Sequence, residues 1–388
     1  MRNDAGPAWL QDGFRPFFLA AAMHAVVFMA LWIVVVSGLG GLAGSQPVTW
    51  HMHEMLFGFV AAAVAGFTLT AVGHWTGHRP AAPRALAWLL GLWAAGRAAA
   101  WFPAADPGTG TGAALLVLDI AFLPVLAIVI AVPVLRSGNH RNLGVVALVG
   151  GLAAVHASFH VGTGVLRDGL LALDLVLILV AVIGGRITPR FSANWLARTG
   201  RDAERVQSFA ALAAPALPAL GLGAAAAARG TPLTLQALLA LAAAALHLAR
   251  WALWQTTAAW TNPLLAVLHI GYLWLIATLA LRGLALLDAR IANVAWVHAA
   301  GIGAIATMIL AVMARATLGH TGRPLRLPPG AWVIFAAITL AAIARTLGAL
   351  HVLPRLPSLW LSAGLWLLAF TGFAAVFGRM LRTPREDH

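Results

Sequence analysis

The sequence predicts an all-α integral membrane protein of about twelve transmembrane helices, with the N-terminus and the C-terminus both in the cytoplasm. Three observations carry that prediction. The 388 residues are 61% hydrophobic and 10% charged, with a mean hydropathy of +0.87, whereas soluble domains carry about a quarter charged residues. Apolar runs of roughly 20 residues, each long enough to cross about 30 Å of hydrocarbon, recur from one end to the other. Arginine gathers in alternate gaps between those runs, as the positive-inside rule requires of cytoplasmic loops. No polar stretch is long enough for a soluble domain, so residues 1–388 read as a single polytopic transmembrane domain.

In chain order, the first span is 17–39, an apolar run behind Arg2 and Arg15 that is longer than a signal-peptide core and reads as a retained helix. The second, 54–73, is entered through the stretch TWHMHEMLFGF, which sets His51, His53 and Glu54 at its mouth. The third, 85–102, carries Arg97, and the fourth, 112–135, carries Asp119. His156 and His160 lie in the fifth, 143–162, and Asp174 in the sixth, 168–188. The longest loop, about 186–207, leads to the seventh span, 208–228, whose GLGAAAAARG patch permits close helix packing. The eighth, 233–254, contains His247; the ninth, 262–282, contains His269 and the single Tyr, Tyr272. The tenth, 293–314, starts near His298, and 330–350 and 357–380 complete the set. Pro, Gly and Arg punctuate the gaps, as expected where helices stop. With the N-terminus inside, eighteen of the 25 arginines fall in inner segments, six in outer segments, and Arg97 within a span. No internal repeat emerges.

Composition also excludes chemistry. There is no cysteine, which removes disulfides, thiolate metal sites, thiol catalysis and covalent haem attachment. The net charge of +13 consists of arginine in loops, without a basic patch interleaved with aromatics, so nucleic acid is not an expected partner; the lipid bilayer is. The sixteen Trp read chiefly as interfacial anchors and packing.

Ionisable groups inside a span are costly and mark function. On the predicted topology, His51, His53, Glu54, His160 and His298 lie at the outer ends of their spans, with His156 one turn deeper than His160. Asp119, Asp174 and Arg97 occupy outer halves. His156 and His160, four apart, share a helical face, whereas His51 and His53 point about 200° apart on a regular helix. With no cysteine and few carboxylates, imidazole is the ligand available, which suits haem iron, copper or zinc. Asp119 and Arg97 either neutralise each other or belong to a proton relay. His24, His247 and His351 read as packing histidines bonded to backbone, and His74, His78 and His140 as loop or interfacial residues. His269 lies about two turns into its span, and His320 follows the tenth span among Arg315, Arg323 and Arg326, a setting that suits haem propionates.

The segments GFRPFFLAA (13–21), WHMHEMLFGFVAAAVAGFTLTAVGHWTG (50–77), RNLGVVAL (141–148), GGRITPRFSANWL (184–196), PLLAVLHIGYLW (263–274) and HAAGIGAIATMILAVMARATLGHTGRPL (298–325) occur in this order. In them the chain resembles the NnrS family of bacterial haem- and copper-containing membrane proteins linked to nitric oxide. The family pattern falls on His51, His53, Glu54, His160, His269, His298 and His320, with Arg15, Arg186, Arg315 and Arg323; His24, His74, His156, His247 and His351 stand outside it. The resemblance implies a multi-pass protein of the bacterial inner membrane that holds non-covalent haem b and copper and relieves nitric oxide stress. Combined with the residues, it sets these expectations: metal ligands His51, His53, His160 and His298; haem-binding residues His160, His269, His298 and His320 with Arg15, Arg315 and Arg323; proton carriers Glu54, Asp119 and Asp174. Reduction of nitric oxide would draw electrons from a quinol or a protein donor. A non-catalytic nitric oxide sensor, a metal-trafficking partner and a twelve-helix transporter are the competing readings. The transporter gives no reason to stack imidazoles near one face.

Overall fold

The computed structural model describes residues 6–38, 46–78, 81–101, 108–161, 164–203, 206, 213–254 and 259–386. Arg2, Arg79, Arg205 and His388 lie outside the described residues, as do 39, 102, 162 and 208–212 at the edges of expected spans. The protein is all-α, and the described residues contain no strand. Among the described residues, ten helices are long and apolar enough to cross a membrane. In chain order these are α1 (Phe14–Val36), α2 (Pro47–Thr76), α4 (Gly110–Arg136), α5 (Leu143–Val161), α6 (Val165–Arg198), α8 (Leu233–Ala252), α9 (Pro263–Leu287), α10 (Asn293–His320), α11 (Trp332–Ala349) and α12 (Arg355–Arg382). Two shorter helices, α3 (Pro83–Ala99, 17 residues) and α7 (Ala213–Ala228, 16 residues), stand where the third and seventh spans are expected.

Local sequence explains the helix ends. Pro sits in the first turn of α2, α3 and α9, where its missing N–H costs nothing. Thr109 caps α4 by accepting from Gly112 N, and Asn262 caps α9 by accepting from Leu264 N. Gly77, Gly200 and Gly322, each preceded by Thr, take φ of 71°, 70° and 78° just past α2, α6 and α10. Glycine adopts that left-handed cap without strain. These helices are four apart in the order. Two of them, α2 and α10, also contain π-helical segments, Glu54–Val60 and Ala299–Ala306, which begin at the same distance ahead of Gly77 and Gly322. The structure thus shows a recurrence that the sequence alone did not reveal, because it is carried by helix geometry rather than residue identity.

The contacts divide the chain into two compact units. The first comprises residues 1–172, 316–324 and 373–388. In it α1 packs on α2, α2 and α3 on α4, and α4 on α5. Its core is aromatic: Phe14, Phe17, Phe18, Phe57 and Phe59 are at most 1% exposed. Gly66 lets α1 and α2 approach, since a Cβ there would press on the Phe18 ring. Arg15, 1% exposed, donates from one nitrogen to the carbonyls of Met380, Leu381 and Thr383, so it closes the last turn of α12. The second unit comprises residues 173–315 and 325–372. There α7 packs on α8, α8 on α9, α9 on α10, and α10 on α11.

Candidate metal centre

The opening turns of α2 separate its two histidines, as helical periodicity requires. His51 leans back on α1, its ring stacked 4.2 Å from Trp32 and 5.7 Å from Phe28. His53 points the other way, into the first unit, where it is 5% exposed and Glu54 3%. The π segment starts at Glu54. Such wide turns cost hydrogen-bond quality and cluster at functional sites.

Four ligand-type side chains converge there from three helices. His53, Asp119 of α4, and His156 and His160 of α5 each place one donor atom within 4.8 Å of all the others. His53 Nε2 lies 3.1 Å from both His156 Nε2 and Asp119 Oδ2. His160 Nε2 lies 3.0 Å from Asp119 Oδ2, and His156 Nε2 3.8 Å from Asp119 Oδ1. A tetrahedral ion with bonds of about 2.0–2.1 Å holds its donors roughly 3.3 Å apart. The observed separations bracket that edge length.

Charge and tautomer point the same way. Arg97 of α3 donates to Glu54 Oε1 at 2.6 Å and pairs with Asp119 Oδ1 through its other terminal nitrogen. Two carboxylates therefore share one guanidinium, a deficit of one positive charge while the imidazoles are neutral. Glu54 Oε1 also accepts from His53 Nδ1 at 2.9 Å. The proton of a neutral His53 is thereby held on Nδ1, and the Nε2 lone pair faces a carboxylate oxygen and a second imidazole nitrogen. A cation between them satisfies that lone pair, as does a proton shared with His156 or Asp119. A carboxylate that orients a metal-binding imidazole through its far nitrogen is the usual outer support of such sites.

The inner side of the cluster is packed by rings, whereas His160 is exposed. The Phe57 ring stacks on His156 at 4.0 Å. His24 of α1 brings Nε2 to 3.2 Å from Glu54 Oε2, and Trp93 of α3 donates to the Gly58 carbonyl at 3.1 Å. Gly58 has to be bare, because a Cβ would run into His24 Nε2. The expectation that His24 bonds only to backbone is half met: it lies 3.3 Å from the Glu54 carbonyl and also meets the carboxylate.

The structure thus brings together His53, Glu54, Asp119 and His160 of the sequence-predicted set. It adds His156, Arg97 and His24. The spacing of four residues from His160 was the available signal for His156; His24 gives none in the sequence. The other expected residues have separate surroundings. His320 stacks on His74 at 5.0 Å and meets the Phe14 ring, tilted, at 5.4 Å, and Arg323 pairs with Glu386 at 2.5 Å. In the second unit, Asp174 pairs with Arg282, whose guanidinium lies 4.7 Å over Trp296. Arg315 lies 3.9 Å over Phe191. His269 Nε2 meets Ser192 Oγ at 2.9 Å. His298 donates from Nδ1 to the Val294 carbonyl at 2.9 Å. His247 contacts the Tyr272 hydroxyl at 2.7 Å as well as the Ala216 backbone, and His351 is an exposed turn residue with φ of 60°.

No curated protein is similar enough in sequence to be matched to the chain. The family model described as NnrS protein matches residues 8–385, nearly the whole chain, and the protein belongs to the NnrS family.

Proposed function

We propose that this protein holds a copper ion at His53, His156, His160 and Asp119, holds haem b non-covalently in its second unit, and uses these groups to bind and reduce nitric oxide. One observation carries the reading: three imidazole nitrogens and a carboxylate oxygen, drawn from α2, α4 and α5, converge at tetrahedral-ligand spacing, with His53, Asp119 and His156 buried and His160 at the exposed rim. Imidazole-rich, thiolate-free donor sets suit copper and zinc. Family membership favours copper.

The fit of haem rests on His298. Its Nδ1–H is committed to Val294 O, which leaves Nε2 as the lone-pair nitrogen, and no hydrogen bond engages Nε2 among the described residues. Arg345 of α11, the helix packed on this part of α10, has a buried terminal nitrogen with no partner, a fit for a propionate. Among the other expected haem residues, Arg15 is engaged by carbonyls, and Arg323 pairs with Glu386 through one terminal nitrogen while the other is buried without a partner. His160 serves the copper site and His320 packs on the His74 ring, whereas His269 meets Ser192 through Nε2 and keeps Nδ1 without a partner.

A reduced metal supplies the affinity for nitric oxide and the electrons for reducing it. The chain does the rest. His53 is held in one tautomer by Glu54, and Arg97 keeps both carboxylates buried and charged. Phe57 and Trp93 exclude water. Nitric oxide, small and apolar, reaches such a site through lipid without a polar channel. In this reading Asp119, expected as a proton carrier, serves as a ligand, and Glu54, expected likewise, orients His53. We place the protein as one polytopic domain in the bacterial inner membrane, both termini cytoplasmic, with a quinol or a protein as electron donor.

The test is spectroscopic and then kinetic. Purified protein should show a Soret band and bound copper, and with a reductant it should consume nitric oxide continuously at an electrode. Consumption that matches the haem content and stops would reduce the reading to binding. A colourless, metal-free preparation would end it.

A further inference from the structure

The second unit contains buried hydrogen-bond donors that its own side chains leave unsatisfied. Arg250, near the end of α8, is 6% exposed. It donates to the Tyr272 hydroxyl at 3.1 Å and to the Gly185 carbonyl at 2.7 Å, both neutral acceptors. The ion pairs Asp174–Arg282 and Asp288–Arg290 of this unit offer Arg250 no counter-charge. Because Arg250 only donates, the Tyr272 proton is directed to His247 Nδ1. Gly185 is bare of necessity: a Cβ there would collide with the guanidinium.

One turn from Tyr272, His269 is fully buried and its Nδ1 has no partner. Thr188 Oγ1 and Trp195 Nε1 are buried and unpartnered as well. Gly185, Thr188, Ser192 and Trp195 recur at three- and four-residue steps, so they line one face of α6. At 1.5 Å per residue that strip is about 15 Å long. Arg315 of α10 stacks over Phe191 beside Ser192, again without a carboxylate.

Two cations without a counter-charge, beside several donors without acceptors, suit a partner rich in anionic oxygen. Its depth follows from the helix ends. Arg250 is in the last turn of α8 and Arg315 in the last turns of α10, while the strip occupies the final half of α6 and His269 the second turn of α9. These are positions near a membrane face, where headgroups lie. Trp195 and Arg315 are only partly buried, which leaves an approach from that side.

We propose that this end of the second unit binds the acidic headgroup of a membrane phospholipid, with phosphate oxygens on Arg250 and Arg315 and on the unpartnered donors of the α6 strip. Native mass spectrometry of the full chain, titrated with phosphatidylglycerol or with phosphatidylcholine of the same acyl chains, tests it. Wild type should retain the acidic lipid in preference to the neutral one. Arg250→Gln should lower that retention by roughly tenfold, and Arg250→Lys should restore most of it. Trp195→Phe removes one donor without a charge change and should weaken retention several-fold, which keeps the test open if Arg250→Gln does not fold. Equal retention of the two lipids, unchanged retention in both Arg250→Gln and Trp195→Phe, or loss of a porphyrin instead of the lipid in Arg250→Gln would overturn the proposal.

Discussion

Replacing Arg97 by Gln should be the most destabilising polar substitution in the first unit. The side chain is buried, and its two terminal nitrogens reach separate carboxylates, Glu54 and Asp119. Removing one partner of a buried ion pair costs about 3–5 kcal/mol, because the remaining charge is left without compensation. Here two anions are left, so the metal-free variant belongs at the upper end of that range. A dication at the neighbouring imidazoles supplies the missing charge, and ligand at a hundredfold excess over Kd stabilises by about 2.7 kcal/mol. Metal should therefore rescue Arg97→Gln more than it stabilises wild type. Adding Glu54→Gln to Arg97→Gln should recover part of the loss in metal-free protein, since only one anion then remains. Reversible unfolding in mixed micelles, followed by the fluorescence of the sixteen Trp, measures each term. A metal-free Arg97→Gln within about 1 kcal/mol of wild type, the worth of an exposed pair, would refute this reasoning.

Glu54→Gln keeps the shape but loses the charge that orients His53, and should weaken metal binding by about 10–100-fold in a chelator competition; unchanged affinity would mean that Glu54 does not act through His53. Gly58→Ala should cost about 1–3 kcal/mol by overpacking His24 and Glu54, and wild-type unfolding would contradict the close approach. His156→Ala should lower the bound metal while His51→Ala should not, because His51 is stacked on Trp32 away from the cluster; the opposite result would transfer the ligand role. Arg15→Gln should free the last carbonyls of α12, read as faster hydrogen exchange confined to residues near 380–383, and unchanged exchange would show that the clamp is not needed.

What the sequence made legible is what periodicity and cost encode. Runs of apolar residues specify membrane helices whatever their tertiary partners, and α3 and α7, the shortest of the twelve, occur where Pro and Gly punctuation set them. The opposed directions of His51 and His53 follow from helical angle alone, and so does the shared face of His156 and His160. Partnership across helices was not legible. His24 meets Glu54 only because Gly58 opens a gap between α1 and α2, and nothing in either segment marks that gap. His247 looks like an isolated packing histidine in its own helix, yet its partner Tyr272 comes from the next one. Asp174 shares its expected depth with Asp119 but pairs with Arg282, in the second unit. Depth along a helix can be read from topology, whereas the azimuth of a neighbouring helix cannot.

X-ray absorption at the copper edge of the purified protein tests the central claim most directly. The account predicts stoichiometric copper bound by nitrogen and oxygen only, with the multiple-scattering signature of several imidazoles, and its loss from His53→Ala and from Asp119→Asn. Copper that persists unchanged in both variants, or a sulfur scatterer at bonding distance, would contradict it.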